Sequence, residues 1–349
     1  MEAIRELTQI SHYAGMREDL VQAGGGNTSV KVSTDRMLIK ASGYQLADVT
    51  AQSGYSAVNY RLIADFFKEN QDRSLTEEMG KQVLEESLIE GRRPSIETFL
   101  HAITDVLTLH THPIAVNILA MRRDGMVTLK ELFPDALIVG YKTPGVRLAQ
   151  EYFCNMLQSH TRDSRVIFLQ NHGMIVTGKA AEEVIERNEK ILQKIEDYLS
   201  LDMKVYHNST ALWYAFCGAG QDGIIWTVTD TNVLRTYHDL GGIWHHEFCP
   251  DCLVYCGKKM LRISDCENVS DAIRRHLSEN GPISIVEWKN ALYIHAPSVK
   301  KAMEIQSVLS FSAQVVRNNI SQKCDLLSDE EQNFLLHWDA EKYRQTLQN

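Results

Sequence analysis

The sequence predicts an α/β fold in two domains, residues 1–208 and a smaller α/β domain over 209–349. Three observations carry that reading. Apolar strand-like runs such as "VLTLHTH" and "VIFLQNHGMIV" alternate with amphipathic helical stretches. A chain of 349 residues is long enough for two ordinary cores. After about residue 203 the pattern changes to short segments rich in tryptophan and tyrosine.

Taken in order, residues 2–22 read as an amphipathic helix with Ile4, Leu7, Ile10, Ala14 and Val21 on its apolar positions, closed by Gly24-Gly25-Gly26. Two strands follow, "TSVKVS" and "RMLIKAS", the second ended by Ser42-Gly43. Residues 56–68 and 76–90 read as helices, "GRRPS" as a turn, and 96–104 as a helix introduced by Pro94 and Ser95. "VLTLHTH" is a strand, 113–121 a helix, and "ALIVGY" and "VIFLQNHGMIV" strands. Residues 179–201 form a long helix with charges on its outer face, and "YHNST" reads as the boundary. Beyond it come "GIIWTVTD", "FCPDCLVYCG", "KMLRIS" and "ISIVEWKNALYIHA", with helices over 269–279, 298–318 and 328–347.

Bulk properties exclude several classes. A formal net charge of −9 argues against nucleic acid and anionic membrane as partners. No apolar run reaches the length of a membrane span. The start, "MEAIRELTQISHY", has no signal-peptide core, and the seven cysteines are an odd number in a long chain. Reduced thiols in the cytoplasm are the expectation.

The chemistry gathers in short motifs. In "LHTHP", His110 and His112 stand two apart on a strand, so both imidazoles point to one face. Such a pair suits zinc, yet a zinc site needs at least three protein ligands, and half-exposed strand histidines are the plain alternative. "LQNHGMIV" offers a third imidazole, His172, beside a glycine that permits a tight turn; an ordinary turn residue is the alternative here. "GGGNTSVK" supplies Gly26 and Asn27 in a loop whose N–H groups could face an anion. It is neither a Walker loop nor a dinucleotide fingerprint. Lys40, Ser42 and Gly43 of "KASG" could bring an ammonium, a hydroxyl and an N–H to the same anion. In "PSIETFLH", Ser95 could cap a helix and Glu97 could serve as a general base, or simply favour the helix dipole.

These motifs occur in one order over about 150 residues: Gly-rich N-T-S, K-A-S-G, P-S-I-E-T, H-T-H-P and N-H-G. That order resembles the zinc-dependent class II aldolase/adducin family over roughly residues 1–203. The spellings "LVQAGGGNTSVK", "PSIET" and "HTHP" look most like the aldolase part of bifunctional rhamnulose-1-phosphate aldolase/short-chain dehydrogenase proteins. The resemblance implies an α/β/α sandwich with a central, mainly antiparallel sheet. It implies a ketose 1-phosphate aldolase working through a dihydroxyacetone phosphate enediolate, with one Zn2+ per chain or another divalent metal in its place. His110, His112 and His172 match its metal ligands, Glu97 its acid/base, and Gly26, Asn27, Ser42, Gly43 and Ser95 its phosphate contacts. A homo-oligomer, a tetramer in particular, and a small sugar phosphate as partner follow from the same resemblance.

The sequence departs from that pattern in two places. Ile96 stands where fuculose-phosphate aldolases have a second phosphate-binding serine, which leaves a substrate without phosphate open. The segment 122–140 has no tyrosine to meet the aldehyde. The segment after residue 209, with "CPDCLVYCG" where a P-D-H-x-V-Y pattern is expected, resembles the region that follows the aldolase core in the bifunctional proteins. Alternatives on the same fold are a sugar-phosphate 4-epimerase, a decarboxylase, or an adducin-like scaffold without catalysis, the last marked by missing ligands. Cys249 and Cys252, with His245 or Cys256, have the ligand types of a second zinc site, but no second C-x-x-C follows, and they read as incidental thiols.

Overall fold

A computed structural model describes residues 2–158, 164–244 and 247–337. They form two compact units, Met1–Asp202 and Met203–Asn349. The polar segment 206–210 lies inside a helix, Lys204–Gly218.

The first unit is built on eight strands: β1 (Asn27–Lys31), β2 (Arg36–Lys40), β3 (Tyr55–Asn59), β4 (Leu88–Glu90), β5 (Leu107–Thr111), β6 (Leu137–Val139), β7 (Val166–Leu169) and β8 (Gly173–Gly178). Their order across the sheet is β4-β3-β2-β1-β5-β8-β7-β6. Every neighbouring pair is antiparallel except β6 and β7. Alternation along the strands divides the apolar side chains between two faces. Leu107, Leu109, Phe168, Met174 and Val176 pack with helices Glu2–Gly15, Ile114–Ala120, Gly125–Leu132 and Ala181–Leu199. Ile167, Leu169 and Ile175 pack on the other face with helices Tyr60–Glu69, Glu77–Ser87, Thr98–Ala102 and Val146–Gln158. Each large apolar side chain buried this way contributes about 1.5–3 kcal/mol. The result is an α/β/α sandwich on a mainly antiparallel sheet.

Several element boundaries differ from the sequence reading. The first helix ends at Gly15 and does not reach 22. A Cβ on Gly15 would lie 2.3 Å from the Ala47 nitrogen, so the turn at Leu46–Asp48 sits against the helix end. The chain then turns at Arg17, whose guanidinium donates to both Asp19 oxygens at 3.1 and 2.7 Å. Residues 56–59 belong to strand β3, not to a helix, because Asn59 caps the helix that follows by accepting from the Arg61 and Leu62 N–H groups. "VIFLQNHGMIV" is two strands, β7 and β8, joined by a turn over 170–172. Helices Gly125–Leu132, Val146–Gln158 and Thr231–Leu240 were not legible in the pattern.

The second unit has a four-stranded sheet of β9 (Ile224–Thr227), β10 (Leu261–Ile263), β11 (Ile285–Trp288) and β12 (Ala291–Ala296), ordered β10-β11-β12-β9. β10 and β11 are parallel, and the other pairs antiparallel. One face packs with helices Thr231–Leu240, Pro250–Cys256 and Val299–Arg317, the other with Lys204–Gly218 and Val269–Asn280. Helix Asp329–His337 begins the last expected helix, whose residues 338–347 lie outside the described ones, as does His245. Among the described residues no helix is long and apolar enough to cross a membrane.

Candidate metal centre

The site forms where β5 and β8 meet the loop before β1. β5 carries His110 at its end and runs antiparallel to β1, so His110 pairs in register with Asn27. His112 follows just past the strand, and its N–H donates to the Leu20 carbonyl at 2.9 Å. The next link, Ile114 N–H to Asp19 carbonyl at 2.9 Å, ties the same stretch to the buried Arg17–Asp19 pair. His172 sits in the β7–β8 turn, after Asn171 at φ +53°, a left-handed conformation that asparagine tolerates. Gly173 is required there by contact: a Cβ would lie 2.1 Å from the Thr111 oxygen and 3.1 Å from the His112 Cα. Glu97 immediately precedes the short helix Thr98–Ala102, and its carboxylate, which makes no capping bond, meets the histidines.

One ligand atom from each of Glu97, His110, His112 and His172 falls within 4.8 Å of all the others. The three imidazole centroids are 4.9–5.1 Å apart. Glu97 Oε1 lies 3.1 Å from His172 Nε2, and its Oε2 lies 3.5 Å from His110 Nδ1. Both ring nitrogens of His110 and Nε2 of His112 are buried without a hydrogen-bond partner. A buried polar atom left this way costs about 1–3 kcal/mol, so a cluster of them calls for a ligand.

Charge follows the same logic. Burial holds the His110 imidazole well below the usual histidine range, against the opposing pull of Glu97. His112 is lowered by the same cause. Burial works to raise the Glu97 carboxyl, but His110, His172 and His112 outweigh it and hold the group well below the usual carboxylate range. A neutral His110 and His112 beside a carboxylate are in the protonation states a divalent cation needs in its ligands.

The expected anion-binding residues surround this cluster in different states. Asn27 is fully buried; its Oδ1 accepts from the Thr28 N–H, and its Nδ2 has no partner. Gly26, at φ +75°, would with a Cβ press on Val21 and the His110 carbonyl, so its freedom serves a close approach to β5. Lys40 is buried and donates to the Tyr44 carbonyl at 2.8 Å. Ser42 and Gly43 are exposed, and the Ser42 N–H is already committed to the Arg93 carbonyl at 3.0 Å. The bridge between Ala41 and Pro94 brings this loop to Ser95, whose Oγ accepts from the Glu97 N–H at 3.3 Å. Ser95 thus holds the main chain at Glu97. Ile96 is 44% exposed and offers no hydrogen bond where a hydroxyl was expected. Tyr141, the first tyrosine after the histidine pair, is exposed.

Three contributors were missed in the sequence. His101 is fully buried, stacks near His110 with centroids 6.4 Å apart, and bonds Ser29 Oγ through Nδ1 at 2.7 Å. Its signal was the four-residue step from Glu97, which puts both on one helix face. Asn117 donates to the His172 carbonyl at 3.3 Å and the Pro113 carbonyl at 3.2 Å, clasping the two histidine-bearing turns. Gly25 abuts His112: a Cβ there would meet Nδ1 at 2.9 Å. The last two are tertiary contacts that no local pattern announces.

Residues 5–198 match the family model described as class II aldolase and adducin N-terminal domain. Among solved structures, the chain is similar to the N-terminal class II aldolase domain of a protein from Thermoplasma acidophilum, at 25% identity over 56% of this chain and 93% of that one, with a TM-score of 0.49. It is similar to a sugar-phosphate aldolase from Thermotoga maritima at 16% identity, over 57% and 94% of the two chains, with a TM-score of 0.42. An L-fuculose-1-phosphate aldolase from Thermus thermophilus matches at 18% identity, over 57% and 95%, with a TM-score of 0.38. No curated protein matches the chain.

Proposed function

The chain belongs to the class II aldolase and adducin family, and from that premise we propose that its first unit is a metal-dependent aldolase. The reaction is the reversible cleavage of a ketose 1-phosphate to dihydroxyacetone phosphate and an aldehyde. One observation carries the reading: three imidazoles and one carboxylate, remote in sequence, converge within 4.8 Å with buried ring nitrogens unspent. An adducin-like scaffold would have no need to keep that set.

His110, His112 and His172 would hold the cation, Zn2+ being the ion that three imidazoles suit best. Such an ion supplies Lewis-acid stabilisation of the negative charge that develops on the substrate oxygens. Glu97, held anionic and with its main chain fixed by the Ser95 hydroxyl, accepts and returns the proton between substrate and solvent. Asn27 Nδ2 is a free donor beside His110 and would hold a substrate oxygen. Lys40 and the loop of Ser42, Gly43 and Ser95 would anchor the phosphate, while Gly26 keeps the loop before β1 close to β5. L-Rhamnulose 1-phosphate is the first substrate to try, given the spellings of the glycine, P-S-I-E-T and H-T-H-P motifs. A homotetramer in the cytoplasm is the assembly and location we propose, the location supported by seven free thiols.

The test is metal analysis of untagged protein purified without added metal, followed by a screen of ketose 1-phosphates. About one zinc per chain and release of free dihydroxyacetone phosphate would support the reading. Absence of metal, with none taken up on addition, would overturn it. An epimerised sugar phosphate with no free triose would replace cleavage by epimerisation.

A further inference from the structure

The second unit holds a feature that the aldolase reading does not use. Cys249, Pro250, Asp251 and Cys252 open the helix Pro250–Cys256. Cys249 precedes it in an extended conformation, φ −145° and ψ 156°, and Pro250 fixes the first helical position. This backbone step brings the Cys249 and Cys252 sulfurs to 3.3 Å. Cys252 is fully buried, whereas Cys249 keeps partial exposure. We propose that Cys249 and Cys252 are a redox-active dithiol that closes to an intramolecular disulfide by exchange with a small-molecule disulfide.

The geometry sets the order of the steps. The Cys249 thiolate attacks the external disulfide, forms a mixed disulfide and releases one small thiol. Cys252 then gives up its proton and attacks the Cys249 sulfur, which releases the second small thiol. Two protein thiols are oxidised and one external disulfide is reduced to two thiols. A disulfide bond is about 2.05 Å long, so the sulfurs need close by only about 1.3 Å. Burial, then the contact with Cys249, pushes the Cys252 thiol up to about 12, so the half-exposed Cys249 is the sulfur that meets the external disulfide first. Helix Pro250–Cys256 packs on helix Val299–Arg317, and Ser312 of that helix accepts from the Trp244 indole at 3.0 Å while also bonding Cys252. Trp244 is therefore one hydroxyl away from Cys252, which makes its fluorescence the readout of the pair.

The full-length protein, metal included, is equilibrated in mixtures of reduced and oxidised glutathione, then alkylated and mapped by peptide mass spectrometry. The expected result is loss of two of the seven thiols, both at Cys249 and Cys252, with no glutathione attached there. Tryptophan fluorescence should fall with the same midpoint and recover on adding dithiothreitol. In Cys249→Ser, Cys252 should stay reduced and the fluorescence change should vanish. The proposal is overturned if both thiols stay free in mixtures where the exposed Cys266 and Cys324 take up glutathione. It is equally overturned if the pair resists alkylation until a chelator is added, which would make it a metal site. The mapping of the unmodified chain decides the matter even if a variant fails to fold.

Discussion

His110 of the first unit and His295 of the second are both strand residues whose imidazoles burial holds below the usual histidine range. Their surroundings differ. His110 faces two other imidazoles and a carboxylate. His295 lies flat on Phe216, with ring centroids 4.0 Å apart and planes 6° apart. Burial keeps either ring neutral and so fit to ligate, but convergence decides whether it has company. Among the described residues the one group that could hold a metal is Glu97, His110, His112 and His172. A buried histidine with a lowered pKa is therefore a weak sign by itself, and a strong one when its neighbours are ligands too.

The largest effect that tests this contrast comes from His112→Ala. Removing one of three imidazoles should release the metal and lower cleavage by roughly a thousandfold or more, the scale of losing Lewis-acid stabilisation. The fold should persist, because His112 contributes little to either sheet core. Metal analysis, circular dichroism and a triose phosphate assay check all three. Retained cleavage would show that the cluster is not the reacting centre.

Glu97→Gln comes next and separates two roles for one residue. As a proton carrier Glu97 should cost about 100- to 10,000-fold in kcat with metal content unchanged. Loss of metal along with activity would make it a ligand, which its place within 4.8 Å of the imidazoles also permits geometrically.

Much of this site was legible because its chemistry is local. A strand spacing of two puts His110 and His112 together, and N-H-G marks a turn that carries His172. Sequence was silent where two distant backbones touch. Gly173 looks like a turn glycine, yet its constraint is the Thr111 oxygen 2.1 Å from where a Cβ would stand. Residues 56–59 read as helix because the capping role of Asn59 splits an otherwise continuous apolar run. The stop at Gly15 came from packing against Ala47, a contact invisible to periodicity. In the second unit no motif dominated, and the helix Thr231–Leu240 was missed even though Asp230 caps it through the Asn232 and Val233 N–H groups.

Smaller effects probe the framework that holds the imidazoles. Gly173→Ala should destabilise the protein by about 1–3 kcal/mol, the usual cost of overpacking, and weaken metal binding with it, since the clash with the Thr111 carbonyl displaces the residue next to His112 and the ring itself is in contact. Asn117→Ala should leave the fold intact and lower metal affinity by about tenfold, in the range seen when groups supporting a ligand are removed. Calorimetry with zinc reads both. Equal metal affinity in Asn117→Ala would mean that the His172 turn holds its shape unaided.

The smallest effect is expected on the other side of the comparison. His295→Phe keeps an aromatic ring against Phe216 and should change stability at pH 7 by no more than about 1 kcal/mol. Its mark is on the pH dependence. The native His295 pKa is lowered by burial, so the unfolded chain takes up a proton near pH 6.5 that the native state refuses. That group's contribution is present above its unfolded pKa and fades as pH falls through the window between the unfolded and the lower native value. Replacing it should flatten the fall in thermal stability below about pH 6.5 while metal content and cleavage stay as they were. A loss of metal in His295→Phe would break the contrast, since it would tie a lone stacked histidine to a centre with which it shares no ligand.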